Sequence, residues 1–257
     1  MGRSRLIGFF ALGCAVYVGF GAVLFVGQRS MMYLPVADNP ADDIPHERMA
    51  VGGESLKVWV VNGGAEDAVI YFGGNAEDVY YNGDVFRDRL PGRTVYLVNY
   101  RGYGGSSGRP TQQGLFDDAL AVFDRVAARH RRVAVVGRSL GSGVATFLAS
   151  RRGVERLVLV TAYDSAVAVA RRLYPVYPVR WMLKDGYDSL AYVPAVQVPV
   201  RVITAARDNV IPREHTRRLV RAFRDGLIDE VVIAGAGHND IAAHAGYWDA
   251  IAAFVRH

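Results

Sequence analysis

The stretch VAVVGRSLGSGVATFLAS, residues 133–150, decides the fold of this chain. It begins with a run of apolar residues typical of a buried strand, and it continues with a segment typical of a helix. Between the two, Gly137 and Gly141 flank Ser139 at two residues on either side. Side chains at those two positions would collide across a tight turn, so the glycines indicate a strained strand-to-helix turn. The pattern predicts that this turn presents the Ser139 hydroxyl at the end of the strand.

The Ser139 hydroxyl has two interpretations. It is either the nucleophile of a G-x-S-x-G elbow or a small polar residue in an ordinary strand-to-helix turn. A serine hydroxyl is a weak nucleophile on its own, so catalysis would require a base, an acid and oxyanion donors from elsewhere in the chain. Ser142 also lies between glycines, but it falls inside the predicted helix, and we interpret it as structural.

Strands alternate with helices over most of the chain. Apart from RRVAVVG before Ser139, strands are predicted for SLKVWVV, DAVIYF, RTVYLVNY, VERLVLVT, VPVRVITAA and DEVVIAG. Segments with helical spacing lie between them, QQGLFDDALAVFDRVAARH being an example. Near-continuous apolar strands alternating with helices predict an α/β domain with a mostly parallel sheet and helices on both faces. Functional residues are expected at the carboxyl ends of its strands.

One segment interrupts this alternation. The residues from Ala162 to Val198 lie between two predicted strands and are rich in aromatic residues and prolines. An insertion at this point would lie over the strand ends, so we predict a small cap at about residues 162–198. Its aromatic side chains, among them Tyr174, Tyr177 and Trp181, either shape a pocket or pack onto the core.

The N-terminal segment LIGFFALGCAVYVGFGAVLFVG, residues 6–27, contains no charge. As a helix it would be about 33 Å long, which is enough to cross the core of a bilayer. No A-x-A-like cleavage site follows it, which favours an uncleaved transmembrane anchor over a signal peptide. The sequence therefore predicts a membrane anchor at residues 1–29 and an α/β domain at residues 30–257.

The charges around this segment indicate an orientation. Arg3 and Arg5 precede it and only Arg29 follows closely, so the positive-inside rule places the N-terminus in the cytoplasm and the domain outside. Two lysines against 28 arginines are typical of a GC-rich bacterial genome. In a bacterium this orientation places the domain on the periplasmic side of the inner membrane.

Charge and cysteine content exclude several classes of function. The net charge of +5 is concentrated in the N-terminal segment, and no basic nucleic-acid motif is present, so we predict no nucleic-acid partner. Cys14 is the only cysteine and lies in the apolar segment. Disulfides and thiolate catalysis are therefore excluded from the α/β domain. We expect neither a metal nor a cofactor.

The histidine best placed to serve as a base is His238. It follows the last predicted strand in the glycine-rich loop GAGHNDI, at the same end of the sheet as Ser139. The remaining five precede the first strands, end or lie within helices, or end the chain: His46, His130, His215, His244 and His257. A neutral imidazole is the usual acceptor for a serine proton, so His238 is the predicted base.

The predicted acid is Asp208. It follows one strand and precedes a helix that begins near Pro212, and the order Ser139, Asp208, His238 is one known for serine triads. Asp164 is the alternative, because it follows the preceding strand; otherwise it is a cap or turn residue. We interpret Asp240 as a cap for the last helix.

Two backbone N–H groups are expected to bind the oxyanion. The first belongs to Leu140, which follows Ser139 at the start of a helix. The second we assign to Asn75, in the loop Gly73-Gly74-Asn75-Ala76 after the strand DAVIYF. The alternative for this loop is a simple glycine turn.

Several segments together carry a family resemblance: FGGNAED, NYRGYGGSSGRPTQQGLFDDA, VVGRSLGSGVA, VTAYDS, DNVIP and GAGHNDI. With them the chain resembles the serine hydrolases of the α/β-hydrolase fold. It is most similar to the membrane-anchored branch that includes the fungal bud-emergence-related hydrolases and the α/β-hydrolase-domain protein depalmitoylases. In one departure, Gly73 stands where that branch often has a histidine.

The resemblance implies the triad of Ser139, Asp208 and His238 and an N-terminal hydrophobic anchor. The expected activity is hydrolysis of acyl esters or thioesters, with a small-molecule or lipid acyl substrate. Two alternatives stay open. A serine peptidase or amidase would use the same triad, and a membrane-anchored binding protein would use none.

Overall fold

The computed structural model describes residues 2–256 of the chain and, for residues 2–5, the backbone alone. The strands in this part are β1 (His46–Val51), β2 (Glu54–Val61), β3 (Asp67–Phe72), β4 (Arg93–Val98), β5 (Val133–Arg138), β6 (Leu157–Val160), β7 (Val200–Ala205) and β8 (Ile228–Ile233). They form one sheet in the order β1-β2-β4-β3-β5-β6-β7-β8. From β4 to β8 all neighbours are parallel, whereas β2 pairs antiparallel with both β1 and β4. The predicted mostly parallel sheet is confirmed.

The α-helices of the described residues are α1 (Gly2–Met32), α2 (Gly83–Arg89), α3 (Gln112–Ala127), α4 (Leu140–Arg151), α5 (Ala166–Leu173), α6 (Val179–Met182), α7 (Ser189–Tyr192), α8 (Arg213–Ala222) and α9 (Ala245–Val255). Short 3-10 turns lie at Val79–Asn82, Val193–Ala195 and Ile241–Ala243.

Both faces of the sheet are covered, which explains why its central strands are apolar without alternation. Every residue of β3 is buried. Ile70 packs into the core formed with α3, α4 and α8, whereas Tyr71 packs into the core formed with α2 and α9. Alternate side chains of a strand point to opposite faces, so a strand covered on both sides needs apolar residues throughout.

The first strand of the sheet was not predicted. His46 is expected before the first strands, whereas β1 begins at that residue and pairs antiparallel with β2. The segment HERMAV mixes charged and apolar residues, and Met49 is its one buried residue. A strand at the edge of a sheet has one neighbour and exposed side chains, so it lacks the apolar run that marks the central strands.

The last helix also begins later than predicted. Residues 239–257 are predicted as one helix, but the 3-10 turn at Ile241–Ala243 precedes α9, so His244 lies before the helix and not one turn inside it. Asp240 was predicted to cap this helix, and this is wrong. Its Oδ1 accepts a hydrogen bond from the N–H of Gly237 at 2.6 Å and caps no helix. Such a side-chain bond to the local backbone competes with helix formation.

A long helix precedes the sheet. Within Leu6–Met32 of α1, an 18-residue stretch has a mean hydropathy of 2.3 and is almost wholly exposed, so the segment is a candidate membrane span, as predicted. The helix continues to Met32, past the predicted anchor boundary at residue 29. Residues 162–198 connect β6 to β7 and carry α5, α6 and α7, and α1 contacts this segment through Tyr17 and Gln28.

Candidate active site

The turn between β5 and α4 holds Ser139 in a strained backbone conformation. Its φ is 50° and its ψ is −113°, a region that residues with side chains rarely adopt. A β-carbon at Gly137 would collide with the carbonyl oxygen of Gly141, and one at Gly141 would collide with the carbonyl oxygen of Phe72. Both glycines of the G-x-S-x-G pattern are therefore sterically required. Strain of this size is kept where the surrounding structure imposes it, and it is concentrated at functional sites.

Ser139, His238 and Asp208 form a continuous hydrogen-bonded chain. The Oγ of Ser139 lies 2.9 Å from Nε2 of His238, and Nδ1 of the same ring lies 2.8 Å from Oδ2 of Asp208. A carboxylate only accepts hydrogen bonds, so Nδ1–H donates to Asp208. In the neutral ring Nε2 is then an acceptor for the Ser139 hydroxyl. The three residues follow β5, β7 and β8, and they meet at the carboxyl edge of the sheet.

Asp208 is fixed by the loop between β7 and α8. Its Oδ1 accepts hydrogen bonds from the N–H groups of Val210 at 3.0 Å and Ile211 at 2.7 Å. Its side chain is 3% exposed. These bonds hold Asp208 in place with Oδ2 directed at His238.

Asp164, the alternative acid, lies in a different cluster. Its Oδ2 accepts from Nε of Arg218 at 2.5 Å, and its Oδ1 lies 2.8 Å from Nδ1 of His215. Oδ1 also accepts from the N–H of Ser165 at 2.8 Å. Both oxygens are thus occupied away from His238. The cluster ties α8 to the start of α5 and contains the buried His215, which the sequence analysis placed simply within a charged helix.

The predicted oxyanion donors lie on either side of Ser139. Leu140 is the first residue of α4, where a backbone N–H has no partner within the helix. On the other side, a β-carbon at Gly74 would stand 3.6 Å from Cβ of Ser139, so the loop after β3 passes directly beside the serine. Asn75 and Leu140 both line the cavity into which Ser139 opens.

The side chain of Asn75 has a different role from its backbone. Its Oδ1 accepts from the Leu34 N–H at 2.9 Å and from the Tyr103 hydroxyl at 2.8 Å, and its Nδ2 donates to the Met32 carbonyl at 2.8 Å. The amide therefore joins the oxyanion loop to the end of α1. Any oxyanion contact from Asn75 must come from its backbone N–H.

Glu77 holds this loop in place through hydrogen bonds, and no role was predicted for it from the sequence. One carboxylate oxygen accepts from the Gly74 N–H at 2.6 Å and pairs with Nη1 of Arg138 at 3.0 Å. The other accepts from the Tyr71 hydroxyl and the Asn82 amide, both at 2.7 Å. The side chain of Glu77 is 11% exposed. Only the contact with Arg138 joins segments that are far apart in the sequence, and no local spacing pattern predicts that contact.

Arg138 connects Glu77 to the loop that carries His238. Its Nη1 pairs with Glu77, and its Nη2 donates to the His238 carbonyl at 3.3 Å. Its side chain is 13% exposed. The residue before Ser139 thus joins the loop after β3 on one side to the loop that carries His238 on the other. The variable position of the G-x-S-x-G pattern here links these two loops.

Ser139 opens into an apolar cavity of about 340 Å³. This volume lies at the lower end of the roughly 300–1,000 Å³ typical of small-molecule sites. Within the described part of the chain, no charged residue lines it. The cap supplies Val169, Leu173, Tyr174, Tyr177 and Met182 to its walls, and Tyr163 lies beside Ser139. Burial raises the pKa of Tyr163, so its hydroxyl stays neutral.

Comparison with known sequences gives the family. Residues 67–187 match the family profile described as alpha/beta hydrolase fold. An uncharacterized protein of Mycobacterium tuberculosis is 34% identical over 254 residues, covering 93% of this chain and 90% of that protein. An uncharacterized membrane protein of Saccharomyces cerevisiae is 25% identical, over 82% of this chain and 80% of that protein.

Comparison with solved structures agrees. The Pyrococcus furiosus esterase Pf2001 matches with a TM-score of 0.67 at 16% identity, over 87% of this chain and 95% of the esterase. The thioesterase domain from the curacin biosynthetic pathway matches with a TM-score of 0.63 at 16% identity, over 84% of this chain and 100% of that domain. At these identities the likeness establishes the fold. The chain belongs to the α/β-hydrolase fold family.

Proposed function

We propose that this hydrolase-fold protein cleaves acyl esters or thioesters with Ser139 as nucleophile, His238 as base and Asp208 as orienting acid. One observation carries the proposal: the unbroken contact from Ser139 Oγ to His238 Nε2 at 2.9 Å and from His238 Nδ1 to Asp208 Oδ2 at 2.8 Å. The strained turn and the uncharged cavity around Ser139 support it. Non-catalytic serines have no need of this arrangement.

The reaction has two halves. Ser139 Oγ attacks the acyl carbonyl carbon while His238 Nε2 takes its proton, and the N–H groups of Leu140 and Asn75 bind the oxyanion. The tetrahedral intermediate collapses, and His238 returns the proton to the departing alcohol or thiol. Water then attacks the acyl-enzyme with His238 as base. The carboxylic acid product leaves, and His238 returns the proton to Ser139 Oγ, which restores the hydroxyl.

The nature of the cavity favours an acyl substrate over a peptide. Its lining is mainly apolar, as expected for a site that binds a hydrocarbon chain. The esterase and thioesterase among the structural neighbours, and the resemblance to protein depalmitoylases, agree with this substrate class.

The proposal is tested with the full-length protein in detergent on three substrate groups: p-nitrophenyl acyl esters, acyl thioesters and peptide anilides. We expect turnover of esters or thioesters and a loss of about 10⁴-fold or more in Ser139→Ala. Faster turnover of peptide anilides would favour a peptidase or amidase. Equal turnover by wild type and Ser139→Ala would remove the nucleophile from the proposal.

We further propose that α1 spans the membrane and that residues 30–257 lie on the extracytoplasmic side, as the charges around α1 favour. The yeast relative named as a membrane protein agrees with the anchor. Fusing alkaline phosphatase or green fluorescent protein to the C-terminus in a bacterial host tests the side. An active phosphatase and a dark fluorescent protein are expected, and the reverse result would invert the topology.

A further inference from the structure

The cavity at Ser139 has walls from two elements that are far apart in the chain. The cap supplies one side, and the C-terminal half of α1 supplies the other through Leu24, Phe25, Gln28, Met31 and Met32. The candidate membrane span is therefore not a tether beside the domain. Its last turns complete the cavity into which the reacting serine opens.

Aromatic residues fix the tip of the cap, at Tyr177, to Tyr17 in the middle of α1. The rings of Tyr17 and Tyr177 stack with centroids 4.7 Å apart. The Tyr17 hydroxyl donates to the Val176 carbonyl at 2.8 Å, and the Tyr177 hydroxyl donates to the Tyr17 carbonyl at 3.0 Å. Gly21 permits this approach, because a β-carbon there would lie 3.0 Å from the ring of Tyr177.

Polar contacts fix the cap to α1 at the C-terminal end of this helix. Gln28 Nε2 donates to the Met182 carbonyl at 3.1 Å, and its Oε1 accepts from the Lys184 N–H at 2.7 Å. The next residue, Arg29, pairs with the buried Asp185 at 2.8 Å. The cap thus lies along α1 from Tyr17 to Arg29. Contacts at both ends of the cavity hold its two walls together.

These contacts place the cap against the apolar part of α1. Tyr17 lies 15 residues before Met32, which is about 22 Å along the helix. If the uncharged residues of α1 cross a hydrocarbon core of about 30 Å, the tip of the cap reaches the depth of the lipid chains. The cap's own surface agrees with that placement, since Leu173, Val176 and Trp181 are 68%, 69% and 85% exposed.

We propose that α1 forms one wall of an acyl-binding site, and that the substrate is a membrane-resident ester or thioester whose acyl chain enters this cavity from the bilayer. The inference rests on the proposed function and names the source of its substrate. An acyl chain that moves from lipid into an uncharged cavity changes one apolar environment for another. The carbonyl at its end is then presented to Ser139 without the chain crossing water.

The test uses the full-length protein in phosphatidylcholine nanodiscs with acetyl, butyryl, octanoyl, lauroyl and palmitoyl p-nitrophenyl esters. Leu24 lines the cavity, so Leu24→Trp fills part of it. We expect the ratio of palmitoyl to butyryl turnover to fall by about 10-fold or more in Leu24→Trp. Leu24→Ala, which enlarges the cavity, should shift the preference towards longer chains.

Val26→Trp is the matched control, because Val26 lies on the same helix and is 82% exposed on the surface away from the cap. Its turnover ratio should stay within about 2-fold of wild type, since it lines no part of the cavity. Equal ratios in Leu24→Trp, Val26→Trp and wild type would overturn the inference while leaving the hydrolase proposal intact. Absence of both ester and thioester turnover in the wild type would instead defeat the proposed function itself.

Discussion

At the scale of single residues, the backbone of Ser139 depends on its two glycine neighbours. A β-carbon at Gly141 would collide with the backbone of Phe72 and Gly73, which belong to the strand and loop beside the turn. Backbone atoms of a central strand cannot shift without disturbing the sheet. The sequence pattern predicted crowding within the turn, as the clash of a Gly137 β-carbon with the Gly141 carbonyl oxygen shows. It did not predict the clash at Gly141, because Phe72 and Gly73 lie far from it in the sequence.

Gly141→Ala should therefore destabilise the protein by about 2 kcal/mol or more and lower activity per folded molecule. Thermal unfolding in detergent measures the first effect, and ester turnover normalised to folded protein measures the second. Gly153→Ala is the control, since a β-carbon there meets nothing within 4 Å. Its stability should change by no more than about 0.5 kcal/mol. Equal effects of the two substitutions would contradict the steric argument.

The two candidate acids separate in their expected defects. Asp208→Asn removes the acceptor that holds the His238 tautomer and should lower kcat by about 10⁴-fold with little loss of stability. Asp164→Asn removes the charge of a buried carboxylate whose partner Arg218 is half exposed, and should lower stability by about 1–2 kcal/mol. The surviving folded Asp164→Asn protein should keep near-normal kcat. A large loss of kcat in Asp164→Asn, with a loss of stability but not of kcat in Asp208→Asn, would instead make Asp164 the acid.

At the scale of elements, the oxyanion loop is held by contacts within residues 71–82 and by one contact from the distant Arg138. Glu77 joins Gly74, Arg138, Tyr71 and Asn82, and Arg138 continues to the carbonyl of His238. Ser139, Asp208 and His238 were predictable because strand order brings the ends of β5, β7 and β8 together. Glu77 was not, because a glutamate in a polar loop looks the same whether it is solvated or buried.

Glu77→Gln should lower kcat by about 10- to 100-fold and change KM little, since it loosens the loop that positions the oxyanion donor. Steady-state kinetics on a butyryl ester separates the two constants. Glu66→Gln is the matched control, because the ion pair of Glu66 with Arg131 is largely exposed. An unchanged kcat in Glu77→Gln, or a loss fully explained by unfolded protein, would refute the positioning role.

At the scale of the whole molecule, α1 and the cap pack together as one unit. The apolar length of α1 was predictable from composition, and so was a cap between β6 and β7. Their contact was not, because an apolar helix carries no signal that distinguishes a free anchor from one docked on its own domain. The joining residues are few and scattered: Tyr17, Gln28, Arg29, Tyr33, Asp185 and Tyr187.

Removing the ion pair between Arg29 and Asp185 should loosen this docking. Arg29→Ala leaves a buried carboxylate with fewer partners, and we expect a loss of about 1–2 kcal/mol because Arg29 itself is half exposed. Arg172→Ala, which breaks an exposed pair with Glu214, should cost less than about 0.5 kcal/mol. Thermal unfolding midpoints in the same detergent compare the two. Equal midpoints would show that the Arg29 pair does not stabilise the docked helix.

The most direct test of the central claim is covalent labelling of the full-length protein with a small fluorophosphonate, followed by peptide mapping. We predict that wild type is labelled on Ser139 and that Ser139→Ala is not labelled. Ser150→Ala, the same substitution at the far end of α4, should label like wild type. Failure of wild type to label, or equal labelling of Ser139→Ala, would contradict the claim that Ser139 is an activated nucleophile.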